Sequence, residues 1–148
     1  MSCWTATAQA NATPEQLLEV LTHPEQIRRW SPVDFYAEDV GGRRLAAGTR
    51  TRVTGRLAGV SVSFDVEVHA ADEERLELSA EGPIGLEVRY DLAPADDGAE
   101  LTASVSVRRG GGITGRFVAN AAGTLLSAGA LDGATGRIVR AAESRLCA

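Results

Sequence analysis

Few side chains in this sequence can do acid–base or nucleophilic chemistry. Of 148 residues, two are His and two are Cys, and all 15 basic residues are Arg. Without Lys there is no Schiff-base amine and no phosphate-loop lysine. Cys3 and Cys147 sit near opposite ends and neither belongs to a CxxC, so they read as two free thiols in a reducing cytoplasm. They can pair only if the first strand and the end of the last helix meet. Nothing here has metal-ligand spacing, so no metal and no cofactor is expected. The remaining catalytic candidates are His23, Asp34 and Tyr90. His23 and Asp34 form an acid–base pair only if the fold brings them within hydrogen-bond reach. His69 follows Glu67 at the outward positions of its strand and reads as exposed.

The local pattern shows which elements must position these groups. Residues 3–10 alternate, with Trp4, Ala6, Ala8 and Ala10 on one face, as a half-buried strand does. Thr13-Pro14-Glu15-Gln16 is a helix start, with Thr13 as N-cap, Pro14 at the first position and Gln16 placed to close a capping box. A second short helix follows from Pro24 through Ile27 to Trp30, and Ser31-Pro32 ends it. His23 lies at the junction and is placed to cap.

From Val33 to Arg109 the chain reads as strand and turn. Phe35 to Val40 is a short strand that carries Tyr36. Val53, Gly55 and Leu57 share a face with Val60, Val62, Phe64, Val66 and Val68 across an Ala58-Gly59 turn. That register sets Arg52 opposite Asp65 and Arg50 opposite Glu67, so charge and apolar patterns agree. Leu76, Leu78 and Ala80, then Leu86, Val88, Tyr90 and Leu92, then Leu101, Ala103, Val105 and Val107 continue the apolar face. Short links between them imply an antiparallel meander.

After Gly110-Gly111-Gly112 the period changes. Ile113, Phe117, Ala121, Leu125, Ala128, Leu131, Ile138 and Ala142 recur at helical spacing, which reads as one amphipathic helix of about 30 residues. Its glycines each cost about 1 kcal/mol against Ala. It therefore has a weak middle, and the alternative is a break between Gly129 and Gly136. One helix about 10–12 Å across covers only a strip of so broad a sheet. The small residues Gly55, Ala80 and Ala103 leave space beneath it, and an apolar pocket with few polar groups is the expected binding site.

The whole chain resembles the START/Bet v 1-like superfamily, in its SRPBCC or polyketide cyclase/dehydrase-like group. The residues that carry the resemblance are 10–21 (Ala10 to Leu21), Thr22-His23-Pro24-Glu25, Ile27 to Pro32, Gly48-Thr49-Arg50 and the long terminal helix. It implies an α+β helix-grip fold over residues 1–148: a seven-stranded curved antiparallel sheet wrapped around a long C-terminal helix, with two short helices after strand 1. It also implies an internal cavity for an apolar small molecule, and places Trp30 at its mouth or floor.

Strand parity and the resemblance together make Trp30, Tyr36, Thr51, Val53, Phe64, Val66, Leu78, Val88, Tyr90, Ala103, Phe117 and Leu125 the candidate ligand-binding set. The inward list holds almost no acid, His or Arg, whereas cyclase chemistry needs a base and an oriented electrostatic stabiliser. The expected function is binding or sequestering an aromatic or polyketide-type molecule, in natural-product biosynthesis or self-protection. Polyketide cyclase or aromatase activity in the same cavity, and a non-catalytic interaction or regulatory domain, stand as alternatives. The formal charge of -5 argues against nucleic acid as a partner. Arg28, Arg29, Arg43 and Arg44 read as ordinary solvated charge, with a basic rim for an anionic group as the alternative. No apolar run reaches membrane-span length and no leader is evident, so the expectation is a cytoplasmic monomer or homodimer.

Overall fold

The computed structural model describes residues 2–31, 35–37, 44–57, 59–108 and 112–144. Strand β1 (Ser2–Ala10) is followed by helices α1 (Pro14–Thr22) and α2 (Pro24–Trp30). Then come β2 (Phe35–Ala37), β3 (Arg50–Leu57), β4 (Val60–Ala71), β5 (Arg75–Glu81), β6 (Gly85–Ala95) and β7 (Gly98–Arg108). Helices α3 (Gly112–Ser127) and α4 (Ala130–Ser144) complete the described chain. The fold is α+β and helix-grip-like.

The sheet order is β1-β7-β6-β5-β4-β3-β2, and every neighbouring pair is antiparallel. Six strands of seven residues or more make its body, and the three-residue β2 adds to one edge. Residues 38–40 of the expected second strand lie outside the described residues. The β3–β4 hairpin has the register that charge and hydropathy require. Arg50 pairs with Glu67 and Arg52 with Asp65, with N–O distances of 3.3 and 3.8 Å. Gly59 takes φ +81° in the turn, a conformation other residues resist.

At the N-terminal side, the Thr13 hydroxyl accepts from the Gln16 N–H while the Gln16 amide oxygen accepts from the Thr13 N–H. This capping box satisfies helix donors that otherwise have no partner. His23 ends α1 and precedes α2 through its backbone alone, because its side chain makes no cap hydrogen bond.

The C-terminal segment departs from the single helix. It breaks at Ala128–Gly129, where Gly129 adopts φ +94° and donates to Leu126 O at 3.1 Å. Such a left-handed glycine is the usual way to end a helix. The two halves then do different work. Helix α4 buries Leu131, Ala134, Ile138 and Ala142 and packs on β1, α1 and α2. Arg137 Nε donates to Trp30 O at 3.0 Å, which fixes the end of α2. Helix α3 touches β1 and β7 on one side and β3 on the other. In a flat sheet β1 and β3 lie five spacings apart, about 24 Å, twice the diameter of a helix and about the full length of the 16-residue α3. Contact with both therefore sets α3 across the strands on the inner side of the sheet's curl, and the cavity lies in that hollow.

Phe117 and Ile113 are corrections to the helical stripe. Phe117 is 47% exposed and Ile113 88%. The expected stripe 113/117/121/125 is one residue out of phase, and one residue turns a helix by about 100°. The covered face of α3 instead runs through Val118 and Ala122 to Leu126.

Candidate functional site

Beneath α3 the curled sheet encloses a cavity of about 350 Å³. Its wall follows from strand parity. Alternate residues of β3 (Thr51, Val53, Gly55) and β4 (Val62, Phe64, Val66) face in. So do Leu76, Leu78 and Ala80 of β5, and Leu86, Val88 and Tyr90 of β6. Ala122, Leu125 and Leu126 of α3 close the top, and Leu21, Ile27 and Trp30 of the short helices close one end. Leu45 joins that end because its N–H donates to Thr22 O at 2.9 Å. Thr22 is itself held by its hydroxyl, which donates to Leu18 O at 2.7 Å and accepts from Arg44 Nε at 3.3 Å.

Polar groups in the wall are few. Ser31 and Thr51 each interact within the chain. Arg56 lines the cavity and is also exposed, so the cavity reaches solvent there. It is the only charged residue among the described lining.

Trp30 is fixed by a feature of the backbone. The Val20 carbonyl would ordinarily accept from the N–H of residue 24, but Pro24 has none. The indole Nε1 of Trp30 supplies the missing donor at 3.0 Å, in a buried contact. The Trp30 ring then meets Tyr90 edge to face, with centroids 6.0 Å apart and planes at 76°. Its N–H is thus committed to the protein while its ring lines the cavity.

Tyr90 is the opposite case. It is buried, and burial alone pushes its pKa up, so the phenol keeps its proton at neutral pH. Among the described residues no group hydrogen-bonds its hydroxyl. The side-chain polar atom that is both sealed from solvent and unpartnered is His23 Nδ1, not the Tyr90 oxygen. The Tyr90 hydroxyl therefore opens on the cavity.

Nine of the twelve candidate ligand-binding residues share this wall: Trp30, Thr51, Val53, Phe64, Val66, Leu78, Val88, Tyr90 and Leu125, as do the small residues Gly55 and Ala80. Ala103 does not. It is fully buried between Ala6 and Tyr90 in the strand ladder, in the core beside α4. Phe117 lies outside the lining on the exposed side of α3. Tyr36 lies on β2 opposite Thr54. Asp34, Arg43 and Cys147 fall outside the described residues, so neither a His23–Asp34 nor a Cys3–Cys147 pairing is described. His23 itself is not part of the wall. His69 is exposed, with Nε2 2.8 Å from Ser79 Oγ. Ile27, Leu45, Leu126 and Arg56 were missed. Helical spacing could have found Ile27, but Leu45 and Arg56 reach the cavity through tertiary placement.

No acid or His stands in the described lining, and no group of metal-ligating side chains occurs among the described residues. No helix among them is long and apolar enough to cross a membrane.

Residues 1–143 match the family described as polyketide cyclase / dehydrase and lipid transport. Among proteins of curated function none matches the chain. Solved structures share the fold. The protein TTHA0849 from Thermus thermophilus is 20% identical with TM-score 0.68, over 95% of this chain and 99% of that one. A START superfamily protein from Mycobacterium smegmatis is 20% identical with TM-score 0.65, over 93% of this chain and 97% of that one. DynU16, from the dynemicin biosynthetic locus, is 22% identical with TM-score 0.61, over 95% of this chain and 46% of its own.

Proposed function

Because this chain belongs to the polyketide cyclase / dehydrase and lipid transport family, we propose that it binds or sequesters an apolar, aromatic or polyketide-type small molecule in its internal cavity. The setting proposed is natural-product biosynthesis or self-protection, in the cytoplasm, as a monomer or homodimer. The observation that carries this reading is the cavity of about 350 Å³ walled by aliphatic and aromatic side chains. A pocket of that size and lining gains affinity by taking apolar surface out of water.

Binding without turnover is favoured over cyclisation by what the wall lacks. Aldol chemistry needs a base within reach of the substrate's acidic proton. The described wall offers no carboxylate or imidazole, and the one buried phenol holds its proton. The test is titration of Trp30 fluorescence with polycyclic aromatic ligands, followed by recovery of the ligand. Saturable quenching with the ligand unchanged is expected. Flat titrations across a varied apolar panel would remove the binding reading, and a recovered cyclised or dehydrated product would replace it with catalysis.

A further inference from the structure

We infer that the ligand carries one uncharged oxygen acceptor, of the ketone or ester carbonyl type, and that the Tyr90 hydroxyl donates to it beside Trp30 in the cavity. This inference rests on the binding reading above and narrows its ligand class.

The argument begins with an unmade hydrogen bond. A buried hydroxyl without a partner is costly, so such groups in folded proteins are nearly always satisfied. Tyr90 is buried, faces the cavity and has no partner among the described residues. Its neighbours cannot supply one. Leu76 and Ala103 flank it in the sheet, and the adjacent Trp30 has spent its N–H on Val20 O. The hydroxyl opens on the cavity, so the cost falls when an apolar ligand fills that space and leaves the hydroxyl with neither solvent nor a partner. An acceptor oxygen carried in on an apolar body needs one partner only, and the body fills the rest of the wall.

The same corner selects against charge. No cation lines the described wall at that end: Arg56 is the one charged residue of the described lining and is exposed, while Arg137 and Arg44, behind the wall, already donate to Trp30 O and the Thr22 hydroxyl. Burying an unpaired carboxylate is far more costly than burying a carbonyl. Because the phenol stays protonated, Tyr90 serves as a donor.

The experiment compares three matched probes: acetylnaphthalene, its hydrocarbon analogue isopropylnaphthalene, and naphthoate. Each is titrated into the full chain and into Tyr90→Phe, which keeps the ring and its contact with Trp30. The wild type is expected to bind the ketone about tenfold more tightly than the hydrocarbon, the size of one buried hydrogen bond. Naphthoate should bind more weakly than either. Tyr90→Phe should erase the ketone preference, bringing the ketone-to-hydrocarbon affinity ratio to about one. If the ketone-to-hydrocarbon ratio is the same in both proteins, the inference is overturned while the cavity reading stands. If naphthoate binds most tightly, the acceptor class is wrong. If no probe binds the wild type, the binding reading fails as well.

Discussion

The indole of Trp30 and the phenol of Tyr90 stand edge to face, with ring centroids 6.0 Å apart and planes at 76°. The two rings join the short helices to the sheet at one end of the cavity. They are held differently, since the Trp30 N–H is bonded to Val20 O and the Tyr90 hydroxyl is bonded to nothing described.

That difference sets the cost of changing Trp30. Trp30→Phe keeps an aromatic ring against Tyr90 but strands the Val20 carbonyl, so it should cost about 1–3 kcal/mol. Trp30→Ala removes the ring as well and should cost about 3–5 kcal/mol. Urea unfolding midpoints check both. Equal losses in the two variants would mean that the hydrogen bond, not the ring, is what counts.

Tyr90 should behave in the opposite way. At neutral pH, Tyr90→Phe should be as stable as the wild type or slightly more so, because no partner is left stranded. The alkaline side shows the sign of the pKa shift. Burial raises the folded value above the unfolded one of about 10. Below about pH 10 both states hold the proton, and this group adds no pH dependence. Above it the unfolded chain ionises while the folded chain does not. The wild type should then lose about 1.4 kcal/mol per pH unit, up to the folded value, beyond what Tyr90→Phe loses. Stability curves measured at rising pH test this, and parallel curves would show that the phenol is not desolvated.

The C-terminal glycines should divide by sign. Gly129 holds φ +94° at the break between α3 and α4, and Gly129→Ala should cost about 1–2 kcal/mol. Gly136 lies inside α4, where an added Cβ meets nothing within 4 Å. Gly136→Ala should therefore stabilise by about 1 kcal/mol. Thermal unfolding of the two variants reads both, and a stabilised Gly129→Ala would argue for a continuous helix.

What could be read from the amino acids was the part governed by local pattern. The Thr13–Gln16 capping box and the Arg50–Glu67 and Arg52–Asp65 pairs follow from spacing of a few residues, or from a turn of known length. Strand parity likewise placed Val53, Phe64, Val66, Leu78, Val88 and Tyr90 on one wall. It could not separate wall from core, which is why Ala103, of the same parity, lies packed beside α4. Nor could it phase α3, where apolar residues recur at four-residue steps both through Phe117 and through Val118, and the second set is the one that is covered. The use of the Trp30 N–H by Val20 depends on a missing donor at Pro24, a tertiary consequence of a local fact. Arg56 has the outward parity of β3 and still lines the cavity at an exposed position, which a two-residue period does not show.

The central claim is that an apolar ligand enters the hollow beneath α3, and filling that hollow tests it most directly. Ala80→Phe and, independently, Leu125→Trp add bulk to opposite walls. Calorimetric titration with acetylnaphthalene should give one saturable site per wild-type chain, with the negative heat-capacity change of apolar burial. Each filled variant should keep a cooperative thermal transition and lose that binding. Wild-type protein without a saturable site, or folded variants that bind as well as the wild type, would contradict the account.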